Sequence, residues 1–204
     1  MTSNSYNNIK EPEKDVILIS GYKRSGKDTT AKMMKEIIEQ SGQKVEIMSF
    51  AEPMKFIAKT IFNISDEQLD KFKNERTYIF SSEKLGSFDK LTDFREVLKK
   101  LGTEAIKPLF GDDVWVNLIK DKINKSDADI IIIPDFRFLI EDSFSNSITI
   151  RIINNDIKNE DLHPSETELD GYKFDYYFDN TGYCLTKEKI KKIMVAGPNG
   201  DTNV

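Results

Sequence analysis

Residues Asp15–Lys32 read DVILISGYKRSGKDTTAK. An apolar run, Val16–Ile19, breaks at Ser20-Gly21. Gly26, Lys27, Asp28 and Thr29 close the loop, and a helix-forming segment follows. A strand, a glycine loop and a helix in this order make a phosphate-binding arrangement. The two glycines let the backbone turn tightly, so that successive N–H groups converge on anionic oxygens. The helix N-terminus adds partial positive charge, and Lys27 adds a full one. Gly21, Lys23, Arg24, Ser25, Gly26, Lys27, Asp28 and Thr29 are therefore candidate phosphate ligands; an ordinary tight strand-to-helix turn is the bland alternative. The common pattern places Ser or Thr directly after the lysine, with its hydroxyl on magnesium. Here Asp28 stands there and Thr29 follows. Thr29 is a candidate metal ligand. Asp28 is either a further one, directly or through water, or only a favourable charge at the helix start.

The wider composition restricts the function classes. A chain of 204 residues has room for one compact domain with a small insert. Charged residues make up 32 % and the net charge is −5, so there is no global basic field for nucleic acid. The single cysteine, Cys184, excludes an internal disulfide and a cysteine-cluster zinc site. No apolar run approaches a membrane span, and the polar N-terminus lacks a signal core, so a cytoplasmic location is the default expectation.

Residues 1–14 and 196–204 read as flexible tails around a domain at 15–195. Five apolar runs predict strands at Val16–Ser20, Lys44–Phe50, Asp129–Ile133, Ser147–Ile153 and Asp175–Asp179. Helical patterns fall at Lys27–Gln40, Ala51–Phe62, from about Thr92 through Leu101, after Asp113, and at Thr186–Met194. Near-continuous Ile and Val strands alternating with helices predict an α/β fold, a parallel sheet covered on both faces. Ser65–Lys90 is polar, with only weak periodicity after Ser65–Phe72, and reads as a mobile flap within an insert at about 51–110.

A second cluster is I-I-I-I-P-D-F-R-F, Ile130–Phe138. Asp135, just past a buried strand, is placed to hold magnesium; a turn or cap carboxylate is the alternative. Arg137 can neutralise charge on a transferring phosphoryl group.

From these clusters outward the chain resembles the phage-type deoxynucleoside monophosphate kinases, within the P-loop nucleoside monophosphate kinase superfamily. The blocks that carry the resemblance are GYKRSGKDTTA (Gly21–Ala31), FAEPMK (Phe50–Lys55), REVLKKLGTE (Arg95–Glu104) with DDVWV (Asp112–Val116), PDFRF (Pro134–Phe138), and HPSETELD (His163–Asp170) leading to FDNTG (Phe178–Gly182). Adenylate kinases likewise put one residue between the loop lysine and threonine. The resemblance implies a five-stranded parallel sheet of order 2-3-1-4-5, with helices on both faces. It also implies transfer of the ATP γ-phosphoryl group to a deoxynucleoside monophosphate, with Mg2+. It casts ATP and the monophosphate as small-molecule partners, in a host cytoplasm if viral, and is compatible with a homodimer. Lys27, Arg95, Arg137 and Asp135 are the expected catalytic residues. Lys55, Arg95, Gly102, Thr103 and Arg137 are expected at the acceptor.

The residues have their own readings. Lys55 either faces an acceptor phosphate or is a solvated lysine. Arg95, a cation in a helix first turn, is electrostatically disfavoured there, which suggests a phosphate clamp; a surface ion pair is the alternative. Gly102-Thr103 interrupts an apolar helix, where an acceptor base can approach closely. Trp115 reads as core. The loop 154–170 corresponds to a lid, yet carries only Lys158 and His163 where lids usually carry arginines; Arg151 sits on the preceding strand. Asn180 and Gly182 frame the adenine or simply make a turn. Asn124-Lys125-Ser126-Asp127 and Asp179–Gly182 imitate guanine-nucleotide motifs, but in the wrong order and context. Phosphomevalonate or dephospho-CoA kinases, and a non-catalytic ATP-binding domain, are the competing functions.

Overall fold

A computed structural model describes residues 10–74, 94–158 and 163–196. The chain divides into two compact units, one formed by the residues up to Phe50 and from Val116 onward, the other by Ala51–Trp115. The expected insert at about 51–110 falls within the residues of the second unit.

The elements in order are β1 (Asp15–Ser20), α1 (Lys27–Glu39), β2 (Val45–Ile47), α2 (Glu52–Phe62), α3 (Asp66–Asn74) and α4 (Phe94–Lys99). After a π-helical stretch, Lys100–Ile106, come α5 (Lys107–Phe110), α6 (Val114–Lys125), β3 (Ile130–Ile133), β4 (Ser147–Ile153), α7 (Pro164–Thr167), β5 (Tyr176–Asp179) and α8 (Lys187–Ala196). Short 3-10 turns lie at Leu139–Glu141 and Thr181–Tyr183.

In the first unit the five strands pair in parallel, in the order β2-β3-β1-β4-β5. This is the order expected above. It departs from the 3-2-1-4-5 of doubly wound dinucleotide folds because β3, not β2, lies beside β1. Successive side chains of a strand point to opposite faces, and both faces here are apolar. On one, Ile17, Ile19, Ile132 and Ile150 pack with Ala31, Met34 and Ile38 of α1 and Ile190 of α8. On the other, Val16, Leu18, Ile131 and Ile133 pack with Val116, Ile119 and Ile123 of α6, and with Phe136, Phe144 and Phe174. That double burial is why these strands read as unbroken Ile and Val.

β2 is shorter than expected. Met48 still donates its N–H to the Ile132 carbonyl at 2.9 Å. Beyond it the chain leaves the ladder: Phe50 gives its N–H to the Asp135 carboxylate, and the Ser49 hydroxyl bonds the same side chain. The N-terminal segment is not free from Lys10 onward. Glu11 accepts from Lys120 Nζ at 2.6 Å and from Ser145 N at 3.2 Å, and the Lys10 carbonyl accepts from Asn124 Nδ2 at 2.7 Å. The rest of both predicted tails, 1–9 and 197–204, lies outside the described residues.

The second unit has its own core of Ala58, Leu69, Phe94 and Leu98, with Phe62 and Phe72 packed edge-on to Phe94. The flap expected from Ser65 therefore begins as a helix, α3, whose Leu69 is buried; residues 75–90 of that expectation lie outside the described ones. The π stretch replaces the expected helix break at Gly102. Within it the Gly102 carbonyl accepts the Trp115 indole N–H at 3.2 Å. Trp115 is buried, as expected. No helix among the described residues is long and apolar enough to cross a membrane.

Candidate functional site

β1 ends at Ser20 and the chain turns through Gly21–Gly26 into α1. Three residues of this loop hold positive φ: Gly21 (149°), Arg24 (67°) and Gly26 (101°). Gly26 is the N-cap of α1 and has no side chain with which to cap it. A Cβ at Gly26 would stand 2.4 Å from Asn180 Nδ2, and one at Gly21 would stand 2.6 Å from Ser25 Oγ and 2.7 Å from the Ile152 carbonyl. Both glycines are thus required by close approach as well as by conformation. The first N–H groups of a helix have no partner inside it, so α1 begins with donors available to an anion.

Lys27 opens α1 with its ammonium folded back on the loop. Nζ donates to the Gly21 carbonyl at 2.6 Å and to the Tyr22 carbonyl at 2.8 Å. An ammonium has three donors, so one remains. Burial pushes the Lys27 ammonium down to about 8, and the Arg137 charge adds to the depression. Ser25 Oγ is buried without a partner among the described residues. A buried lysine, a helix start without a side-chain cap and an orphan hydroxyl together form a site whose donors exceed its acceptors. A tetrahedral oxyanion is the ligand that corrects such an imbalance.

Two arginines flank β1. Arg151, on β4, is in register with Ser20. It donates to Ser20 Oγ at 3.1 Å, pairs with Asp170 at 3.3 Å, and lies over the Tyr22 ring at 4.6 Å. Tyr22 donates its phenol to Asp170 at 2.8 Å, which joins the glycine loop to the segment after α7. Arg137 follows β3. Its N–H bonds to Glu141 Oε2 at 2.6 Å, and its Nη1 donates to the Ser165 carbonyl at 3.0 Å and to the Glu166 carboxylate.

Asp135, at the end of β3, accepts from Ser49 Oγ at 2.6 Å and from Phe50 N at 3.0 Å. Glu141 is buried; burial pushes its carboxyl up to about 8, against the pull of the Arg137 and Phe138 N–H groups. Among the described residues no three His, Cys, Asp or Glu side chains gather at one point. A magnesium site of the kind expected here does not need such a group, since Mg2+ takes one or two carboxylates with substrate phosphates and water. Asp135 is the candidate for that role, its carboxylate held at the end of β3 by hydrogen bonds from Ser49 and Phe50.

Beside the loop lies a cavity of about 310 Å³, lined among others by Arg24, Lys27, Thr29, Met33, Tyr183 and Leu185. Asp28, Thr29 and Arg24 are exposed at its wall, and Lys23 is exposed on the loop. Asn180 also reaches it, and its side chain bonds both flanking segments. Its buried amide donates to the Ser25 carbonyl at 2.8 Å and accepts from Leu185 N at 3.1 Å, so it braces the loop. Gly182, with φ 64°, gives its N–H to Asp156 at 2.7 Å and shapes the turn. The exposed aromatic at the cavity is Tyr183, whose hydroxyl reaches the Arg24 carbonyl at 3.4 Å. Sequence reasoning missed it, because an aromatic after a turn carries no signal of its own. A larger depression, about 440 Å³, lies within the second unit along Phe56, Lys59, Thr60 and Ile64 and contains none of the expected nucleotide ligands.

The remaining candidates belong to the second unit. Lys55 is half-buried in the first turn of α2. Gly102 is buried, and a Cβ there would meet Met54 Sδ at 2.7 Å, so its missing side chain makes room for Met54. Thr103 follows Gly102 in the π stretch. The backbone of Arg95 lies in α4; its side chain falls outside those described. The lid expectation also changes. Residues 159–162 lie outside the described ones, but α7 is followed by the buried Leu169, and the segment is tied to both flanking arginines. The imitation guanine motif is structural: Ser126 Oγ bonds Glu46, and Asp127 pairs with Lys44.

The chain matches no protein-family model and no curated protein.

Proposed function

We propose that this protein is a P-loop kinase that transfers the γ-phosphoryl group of ATP to a deoxynucleoside monophosphate. The observation that carries the reading is the buried Lys27 ammonium at the start of α1, ringed by a glycine loop with positive φ at Gly21 and Gly26. The nature of the acceptor rests on the sequence resemblance.

In this reading the loop N–H groups and Lys27 hold the triphosphate. Lys27 leaves the Gly21 and Tyr22 carbonyls, or adds its third donor, to reach the outer phosphates. Asp135 and Thr29 would hold magnesium, which supplies charge neutralisation on the phosphate oxygens. Arg137 offsets charge that develops on the transferring group. The 310 Å³ cavity beside Tyr183 takes the donor nucleoside. Lys55, Arg95, Gly102 and Thr103 remain the acceptor candidates on the resemblance alone. The attacking phosphate oxygen is already a nucleophile, so positioning and electrostatics carry the rate and no general base is required.

A coupled ADP-release assay with each deoxynucleoside monophosphate, mevalonate phosphate and dephospho-CoA tests the proposal. ADP release that depends on a deoxynucleoside monophosphate is the expected result. Release only with another acceptor would replace the substrate, and ATP binding with no release would leave a non-catalytic domain.

A further inference from the structure

The motif His163-Pro164-Ser165-Glu166 has no part in the mechanism above, and the structure gives it one. We propose that it is a jig for Arg137: α7 grips one nitrogen of the guanidinium and leaves the other edge free to clamp a phosphate. The inference rests on the kinase reading for its consequence, but the jig itself is a matter of geometry.

Each residue of the motif has a task. His163 is the N-cap of α7; its Nδ1 accepts from Ser165 N at 3.2 Å and lies 2.8 Å from Ser165 Oγ. Pro164 opens the helix, where its fixed φ suits the first turn and its missing N–H costs nothing. Glu166 N donates to the His163 carbonyl at 2.8 Å. The single turn so formed aims the Ser165 carbonyl and the Glu166 carboxylate at the same atom, Arg137 Nη1. Glu166 is only 10 % exposed and is paired with that guanidinium. At the other end, Glu141 holds the Arg137 backbone N–H at 2.6 Å and that of Phe138 at 3.0 Å. Main chain and side-chain tip are therefore fixed independently.

The choice of nitrogen matters. Nη1 carries two N–H groups and makes both contacts. Nε and Nη2 hold three more donors and make no hydrogen bond among the described residues. That edge is the fork that grips two oxygens of a phosphate at once. Phe136 N donates to the Ile19 carbonyl at 3.2 Å, which seats Arg137 beside the end of β1, and its charge depresses the Lys27 ammonium; the arginine and the lysine belong to one cationic site. A cation on a mobile lid would have to be ordered at each turnover. Here the ordering is built into the ground state, and Glu166 is a positioning residue that acts through Arg137.

The test combines a structural and a kinetic readout on the full chain. In 15N NMR the wild-type Arg137 Nη1 hydrogens, which hold Ser165 and Glu166, are expected as distinct signals, and in Glu166→Ala they average with those of the surface arginines. In the coupled assay Glu166→Ala is expected to lower kcat by about tenfold or more, with the ATP KM within about twofold. Glu166→Gln, whose amide oxygen can accept the same bond, retains most of kcat. Arg137→Ala/Glu166→Ala is expected no slower than Arg137→Ala, because the glutamate acts only through the arginine. If Glu166→Ala does not fold, His163→Ala loosens the same turn and is read by the same signals. An averaged Arg137 signal in the wild type overturns the jig. So does a double variant whose losses multiply. A wild type without phosphoryl transfer would sink the kinase reading, and the jig would then stand or fall on the NMR signal alone.

Discussion

Lys27 and Glu141 occupy opposite predicaments. Each is a buried ionisable group with a pKa near 8, the lysine displaced downward and the carboxyl upward. For Lys27 the charged form is the one that binds phosphate. Above about pH 8 the ammonium must regain a proton before it can hold a polyphosphate, so affinity for ADP is expected to fall from pH 7 to pH 9, with proton uptake in calorimetry. Lys27→Ala is expected to bind weakly and without that slope; an equal slope in the variant would assign the titration elsewhere. For Glu141 the folded pKa lies above the unfolded one, so its protonated form favours folding. The contribution is complete below the ordinary carboxyl range and is lost as pH rises to about 8. Wild-type Tm is therefore expected to decline between pH 5 and 8, and Glu141→Gln to flatten that decline. A Tm profile unchanged by the substitution would contradict this account of Glu141.

Among the elements, the loop between β1 and α1 depends on the loop after β5. Asn180 joins the two through the Ser25 carbonyl and Leu185 N, both buried hydrogen bonds. Removing the amide leaves two backbone groups without partners, at about 1–3 kcal/mol each. Asn180→Ala is expected to lower Tm and to raise the ATP KM more than the acceptor KM; thermal melts and steady-state kinetics check both. An unchanged ATP KM would mean that the brace does not govern the phosphate loop. Gly26 completes this joint, since its φ of 101° and the 2.4 Å approach of Asn180 leave no space for a side chain.

At the scale of the molecule, the strands were legible because burial on both faces writes itself as Ile and Val, and the glycine loop because its spacing is demanded by backbone geometry. Lys27, Arg137 and Asp135 were legible by their places after those strands. The brace role of Asn180, the space for Met54 at Gly102 and the exposed Tyr183 were not, because each depends on a residue distant in sequence or on which way a turn faces. The stop of β2 at Ile47 was hidden for the same reason: the acceptor that takes the Phe50 N–H, Asp135, lies 85 residues further on. α3 was missed because a polar helix with one deeply buried leucine looks like a loop until its partners, Ala58 and Phe94, are known. The net charge of −5 hides a local cationic site, where Lys27, Arg137 and Arg151 converge on the end of β1. A crystal structure with a non-hydrolysable ATP analogue tests this site most directly. The account predicts the triphosphate on the N–H groups of residues 21–29, with Lys27 Nζ on its outer oxygens; an empty loop with the analogue bound in another cleft would contradict it.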